Sequence, residues 1–320
     1  MLKNLRVIRL FFVLLIAVSC LCACEPSAET AQTKNVSEQI NETEMDPPQP
    51  LEVEELPLMI NYHLDSLPTR AAIDSFKNSY EEVELDLILA LNRIDANRLS
   101  PGDRLVIPDT LTTDLNDYSP FPIRFEMLDS IPRTVLISRR VQAFGLYENG
   151  NLLRWGPVSS GKESTPTPAG LFYGNYKAIR KISTVDEAWI LPYYFNFLNF
   201  DGVGVHEYAM PGYPASHACV RLKNEDARFI YDWAKQWKLD PSGQKILKNG
   251  TLFMVFGEYD FEGQAPWLDL ASRPHSNFLT AEEMGTLKTY VDKYRTDTRN
   301  FDSVDPEPGS LSNTTGVEVQ

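Results

Sequence analysis

The residues with the clearest chemical potential sit in one short run, Gly204-Val205-His206-Glu207 followed by Pro214-Ala215-Ser216-His217-Ala218-Cys219-Val220-Arg221-Leu222. It gathers one thiol, two of the chain's four histidines and an arginine. A cysteine attacks a carbonyl as its thiolate, and a free thiol with a pKa of about 8.5 needs a nearby imidazole or positive charge to become reactive near neutrality. The set suits acyl transfer through a thioester, with thiolate and imidazole supplying nucleophile and base and no cofactor required. In extended backbone Arg221 falls on the same side as Cys219, where its guanidinium could hold a substrate carboxylate in a bidentate pair. Two blander readings stand beside this one. Cys219 could be a core thiol flanked by surface histidines, and Arg221 could be half of a surface ion pair. A Cys-rich zinc site is excluded, because the body of the chain has no second cysteine, and no metal is expected.

The other three cysteines, Cys20, Cys22 and Cys24, close an N-terminal segment in which Lys3, Arg6 and Arg9 precede an apolar run from Leu10 to Val18. That run is too short to cross a bilayer as an ordinary helix, and the layout is that of a signal peptide over residues 1 to 23. Leu21-Cys22-Ala23-Cys24 resembles a lipoprotein signal peptidase site, which makes Cys24 the lipidated first residue; simple cleavage after Ala23 is the alternative. The expectation is an exported protein, lipid-anchored to an envelope membrane and facing the periplasm, and a monomer. Removing Lys3, Arg6 and Arg9 leaves 27 basic against 44 acidic side chains, a net charge of −17. So acidic a chain is a poor partner for nucleic acid.

Positioning those residues falls to the elements around them. Residues 24 to 50 are rich in Ser, Thr, Glu, Gln and Pro without apolar periodicity and read as a tether; residues 299 to 320 read likewise as a disordered tail. In residues 51 to 110, Leu85 to Asn92 has helical spacing, followed by an Ser100-Pro101-Gly102 turn and a strand from Arg104 to Pro108. Strand patterns begin at Arg133, and Asn149-Gly150 before Leu152-Leu153-Arg154-Trp155 signals a hairpin. An aromatic strand is expected from Leu171 to Ile179, a helix from Glu225 to Trp237, and a closing strand from Thr251 to Phe256. After it, residues 259 to 298 form an extension whose helix, Thr280 to Tyr294, starts with Thr280 as N-cap and Glu283 at the capping-box position. The expected fold is therefore mainly β, with one or two packed helices and a small α/β module in front.

Two resemblances sharpen this. The run from Ile88 to Asn92 and on through Ser100-Pro101-Gly102-Asp103 to Pro108 resembles the C-terminal half of a LysM domain, a glycan-binding βααβ unit, although no Gly-Asp-Thr turn precedes Ala71. The His206 to Arg221 run resembles the signature of the L,D-transpeptidase (YkuD-type) catalytic domain, an upstream histidine followed by a Ser-His-Gly-Cys segment. The likeness covers residues 133 to about 257, taking in Ser160-Gly161-Lys162, Thr165 to Gly170 and Leu191 to Phe195, and implies a β-sandwich catalytic domain over residues 120 to 258. It implies that Cys219 is the nucleophile, His206 its base, and His217 and Ser216 groups that orient the site. It further implies that Ala218 and Cys219 supply backbone N–H groups to an oxyanion, with Arg221 and Tyr193 on the substrate side. Trp189 and Tyr194 are further candidates for a substrate groove, whereas Phe195 and Phe197 read as core.

The implied substrates are peptidoglycan stem peptides, with glycan strands as a second contact, and the implied reaction is a 3→3 cross-link. The same site with water as acceptor would be an L,D-carboxypeptidase or peptidase, and a silent site would leave a wall-binding lipoprotein. A papain-like or NlpC-type peptidase fits poorly, because there the histidine follows the cysteine and here only His275 does. Two departures from the pattern stand out. Alanine occupies position 218 where the family has glycine, and the His206 to Cys219 spacing is short.

Overall fold

In the computed structural model, residues 60–301 are described. The expected signal peptide, Cys24, the whole tether and the tail beyond residue 301 lie outside them. Among the described residues no helix is long and apolar enough to cross a membrane.

The first elements are β1 (Tyr62–Leu67), α1 (Arg70–Asn78), α2 (Glu82–Leu91) and β2 (Asp103–Pro108). β1 and β2 pair antiparallel, so the order is strand, two helices, strand. Local signals account for the helix starts. Thr69 accepts from the Ala72 N–H at the head of α1, and Glu81 and Glu84 form a reciprocal capping box on α2. Ile73, Phe76, Ile88, Leu99 and Leu105 close a small core of their own.

Next come β3 (Thr134–Ser138), β4 (Ala143–Glu148), β5 (Asn151–Pro157), β6 (Gly170–Tyr173), β7 (Lys177–Ile182), β8 (Ile190–Leu198), β9 (Val203–Glu207) and β10 (Val220–Leu222). They are followed by α3 (Asn224–Trp233), the short pair β11 (Lys238–Leu239) and β12 (Ile246–Lys248), β13 (Leu252–Phe256) and α4 (Ala281–Thr296). One sheet has the order β5-β4-β3-β13-β6 and the other β10-β9-β8-β7. The two inner faces meet in a core of Val135, Ile137, Phe144, Phe195, Val205, Val220 and Phe253, closed at one side by Ala227 and Ile230 of α3. The outer face of the five-stranded sheet is covered as well, by Leu287, Val291 and Tyr294 of α4 and by Leu87 and Leu91 of α2. Burial on both faces explains why Val135-Leu136-Ile137 and Leu252 to Phe256 are continuous apolar runs and not alternating ones.

The Asn149-Gly150 hairpin forms as the sequence predicts, with both residues at positive φ (46° and 75°) joining β4 to β5. Thr280 and Glu283 form the reciprocal capping box on α4. Three expectations need correction. Leu171 to Ile179 is two strands, not one. At Gly174 the chain leaves the five-stranded sheet for the four-stranded one, and a Cβ there would lie 2.4 Å from the Phe195 ring, so only glycine fits the crossing. The helix expected to reach Trp237 stops at Trp233, because Lys235 turns to exchange hydrogen bonds with Thr251 (Thr251 N–H to Lys235 O, 2.9 Å). The tail begins later than composition suggests. Thr298–Asn300 form a 3-10 turn started by Asp297, and Asn300 Nδ2 donates to Tyr173 Oη at 2.9 Å.

Candidate active site

β9 and β10 run side by side in parallel, and their register sets Arg221 opposite His206 and Val220 opposite Val205. Paired positions share a face. The valines enter the core, which leaves His206, Arg221 and, one step before β10, Cys219 on the outward side. All three line one cleft together with Ser216, His217, Trp189, Lys181 and Tyr208. β9 can approach β8 this closely because position 204 is glycine; a Cβ there would fall 2.5 Å from the Phe195 carbonyl oxygen.

His206 is buried, and its Nδ1 lies 2.9 Å from the Glu207 carbonyl oxygen. A carbonyl only accepts, so Nδ1 carries the proton and Nε2 is the free base in the neutral ring. Burial, helped by the nearby Arg221 charge, brings its pKa down to about 4 even though the Glu207 bond pulls the other way. The ring stacks on Tyr194, which is itself buried. The Cys219 thiol is partly buried and its Sγ lies 3.7 Å from the Gly202 carbonyl oxygen. Burial pushes its pKa up, against the opposing pull of the Gly204 N–H and the Lys181 charge. The resting pair is thus a neutral thiol and a neutral imidazole.

The Ser216–Cys219 segment is held by the loop after β5. Ser216 N–H donates to Ser160 O (3.0 Å), Lys162 N–H donates to Ser216 O (2.9 Å), and Thr167 Oγ1 donates to Ala218 O (2.8 Å). Lys162 Nζ lies 3.1 Å from His217 Nε2. An ammonium donates there, so the neutral His217 carries its proton on Nδ1, a buried atom without a partner among the described residues. Among the described residues Arg221 makes no ion pair. Its Nη2 donates to Ala215 O at 2.9 Å, its Nη1 to Ala209 O at 3.4 Å, and its guanidinium lies 4.8 Å from the Tyr208 ring centre. The charged residues lining the cleft are Lys181, Arg221 and Asp201, a basic excess in a chain whose formal net charge is −14. Such a cleft favours carboxylate-bearing ligands. Among the described residues, no three His, Cys, Asp or Glu side chains converge to hold a metal ion.

The structure thus brings together Cys219, His206, His217, Ser216 and Arg221. It does not bring Tyr193, which turns at φ +51° to pack edge-on against Tyr231 of α3, away from the cleft lining. Trp189 takes the groove position instead, 5.2 Å from the His217 ring, while Phe195 and Phe197 are core. Lys181 carried no signal by which sequence could single it out, and Thr167 was marked only as part of the Thr165 to Gly170 stretch, without its bond to Ala218 O. Their roles depend on the β7–β8 pairing and on a long-range loop contact.

Ala218 sits at φ +73°, the left-handed region that disfavours a Cβ. Relief of that strain, about 1–2 kcal/mol, exceeds the extra chain entropy of glycine, about 0.5–1 kcal/mol. Ala218→Gly is therefore expected to raise stability by about 0.5–1 kcal/mol, read as a later urea midpoint at unchanged slope. An earlier midpoint would show that the methyl contributes packing that outweighs the strain.

Residues 132–255 match the family model described as the L,D-transpeptidase catalytic domain, YkuD. Among solved structures, an L,D-transpeptidase from Stackebrandtia nassauensis is similar at 25% identity, with 41% of this chain and 58% of that one covered and a TM-score of 0.33. L,D-transpeptidase 1 of Mycobacterium tuberculosis is 23% identical over 39% of this chain and 62% of that one, TM-score 0.31. An L,D-transpeptidase fragment from Xylanimonas cellulosilytica is 20% identical over 63% of this chain and 100% of that one, TM-score 0.37. No curated protein matches the chain.

Proposed function

We propose that this protein is a cell-wall L,D-transpeptidase that works outside the cytoplasm, with Cys219 as nucleophile and His206 as base. The premise is the match of residues 132–255 to that catalytic domain. The observation that carries the reading is the placement of Cys219, His206 and Arg221 on one face of the β9–β10 pair, in one cleft.

In this reading the Cys219 proton passes to His206 Nε2 as Sγ bonds to the carbonyl carbon of the diamino acid in a stem tetrapeptide. The resulting oxyanion is met by the backbone N–H groups of Ala218 and Cys219. Collapse breaks the bond to the terminal D-alanine, whose nitrogen takes the proton back from His206. A thioester remains. The neutral amine of a neighbouring stem then attacks it, His206 accepts the amine proton and returns it to the departing thiolate, and a 3→3 cross-link is formed. The carbonyl bond at Nδ1 keeps Nε2 available for each transfer. Arg221 and Lys181 supply the charge that pairs with stem carboxylates. The β1-α1-α2-β2 order supports a glycan contact upstream, and Cys24 would supply a lipid anchor.

Mass spectrometry of muropeptides after incubating the chain without residues 1 to 23 with isolated peptidoglycan tests this reading. Dimers linked 3→3 are the expected product. Tetrapeptides trimmed to tripeptides, with no dimers, would assign water as the acceptor and make the protein a carboxypeptidase. An unchanged profile from protein that sediments with the wall would overturn catalysis in favour of binding alone.

A further inference from the structure

The loop between the base and the nucleophile is clasped by the upstream module. Met210 N–H donates to Asp95 Oδ2 at 2.7 Å, and Asp95 N–H donates back to Met210 O at 2.9 Å. Gly212 N–H donates to Arg93 O at 2.9 Å, and Ile94 faces Pro211 in an antiparallel bridge. Met210 is fully buried by this contact. Among the described residues the loop makes no backbone hydrogen bond within 209–215. Its shape therefore comes from what it leans on.

The clasp is itself rigid. Arg93 is buried at φ +56°, its Nε donates to Val141 O at 3.0 Å, and its guanidinium lies 4.7 Å and 5.7 Å from the ring centres of Trp267 and Trp155. Neighbouring Asn92 is locked to Ile88 O and to both backbone groups of Val106. On its other edge the loop presents the carbonyls of Ala209 and Ala215 to Arg221. A continuous chain of bonds thus runs from the upstream helix end, through the loop, to the arginine in the cleft.

We infer that the upstream module completes the active site, and that Asp95 is a positioning residue which, through Met210 and the 209–215 loop, sets Arg221 where it meets a substrate carboxylate. The carboxylate-binding role of Arg221 rests on the proposed function; the clasp itself does not. A side-chain carboxylate accepting a half-buried backbone N–H is one of the stronger bonds available to a loop, and a displacement of about 1 Å in a positioning group lowers rates by about 10²-fold.

Asp95→Ala and Asp95→Asn in the chain without residues 1 to 23 test this with two probes and one function-independent measurement. Acylation of Cys219 by imipenem, which carries a carboxylate, should fall about 10–100-fold in Asp95→Ala. Asp95→Asn, whose amide oxygen accepts the same bond, should restore it to within about fivefold. Alkylation of Cys219 by iodoacetamide, which carries no carboxylate, should stay within about threefold of the parent in both, whereas general loosening of the fold would accelerate it. Hydrogen exchange at the Met210 and Gly212 amides should quicken in Asp95→Ala while β3 and β13 stay protected. Parent-like imipenem rates in Asp95→Ala, or an Asp95→Asn as slow as the alanine variant, would overturn the inference. A parent protein that imipenem leaves unmodified would sink the proposed function alone; exchange at Met210 and Gly212 would then decide the clasp, and unchanged exchange in Asp95→Ala would sink it too.

Discussion

Replacing His206 with alanine is expected to slow carbapenem acylation of Cys219 by about 10³-fold near neutral pH, within the usual range for loss of a general base. The change in pH dependence is the more telling result. Because burial and Arg221 bring His206 down to about 4 and burial pushes the Cys219 thiol up, the parent protein holds imidazole and thiol in their neutral forms throughout the intervening range. Its acylation rate should fall off only as the pH drops toward about 4, where the ring takes up a proton and can no longer accept one. Between about pH 6 and 8 the rate should be nearly flat. Without the imidazole the reacting species is the spontaneous thiolate, whose fraction climbs about tenfold per pH unit below the thiol pKa. The logarithm of the variant's rate should therefore rise with a slope of about one over the same interval. Stopped-flow acylation across that range separates the two cases, and parallel profiles for parent and variant would remove His206 from the base role.

Exchanging the proposed nucleophile is expected to have the larger effect. Cys219→Ser keeps the shape of the side chain and its place beside Gly202 O and the Gly204 N–H, so the fold and the cleft should persist. The hydroxyl is a far weaker acid than the thiol, and the single imidazole, with only a carbonyl behind its Nδ1, must remove the whole proton during attack. Turnover of stem peptides should drop by about 10⁴-fold or more, in line with losses seen when an activated nucleophile is removed. The proposed glycan contact of the upstream module predicts that wall binding survives the exchange, since that module is unchanged. Product analysis beside a sedimentation assay reads both effects at once. Cross-links formed at the parent rate by the serine variant would point to another nucleophile.

Much of this protein is written locally in its sequence. The type and spacing of His206, Ser216, His217, Cys219 and Arg221 single the run out for thiol chemistry, and the structure brings all five to one cleft. Hairpins and helix starts are equally legible: Asn149-Gly150 supplies two positive-φ positions, and Thr280 with Glu283 satisfies backbone donors within four residues of chain. The doubt over Ala218 was likewise readable, since its φ of +73° is the conformation that glycine would take without strain.

What tertiary structure alone decided concerns contacts between segments far apart in sequence. The turn of Tyr193 toward Tyr231, the arrival of Lys181 and Trp189 in the cleft, and the crossing at Gly174 all depend on how β7 and β8 pair and pack, which no periodicity records. The low pKa of His206 depends on burial, a property of the assembled core and not of the residue. The grip of Asp95 on Met210 joins positions 115 residues apart. Sequence determines which groups are available and how each turn or cap begins, because those interactions close within a few residues. Which groups face one another, how far water is excluded, and what holds a loop without bonds of its own are settled only when both sheets and the upstream module have packed.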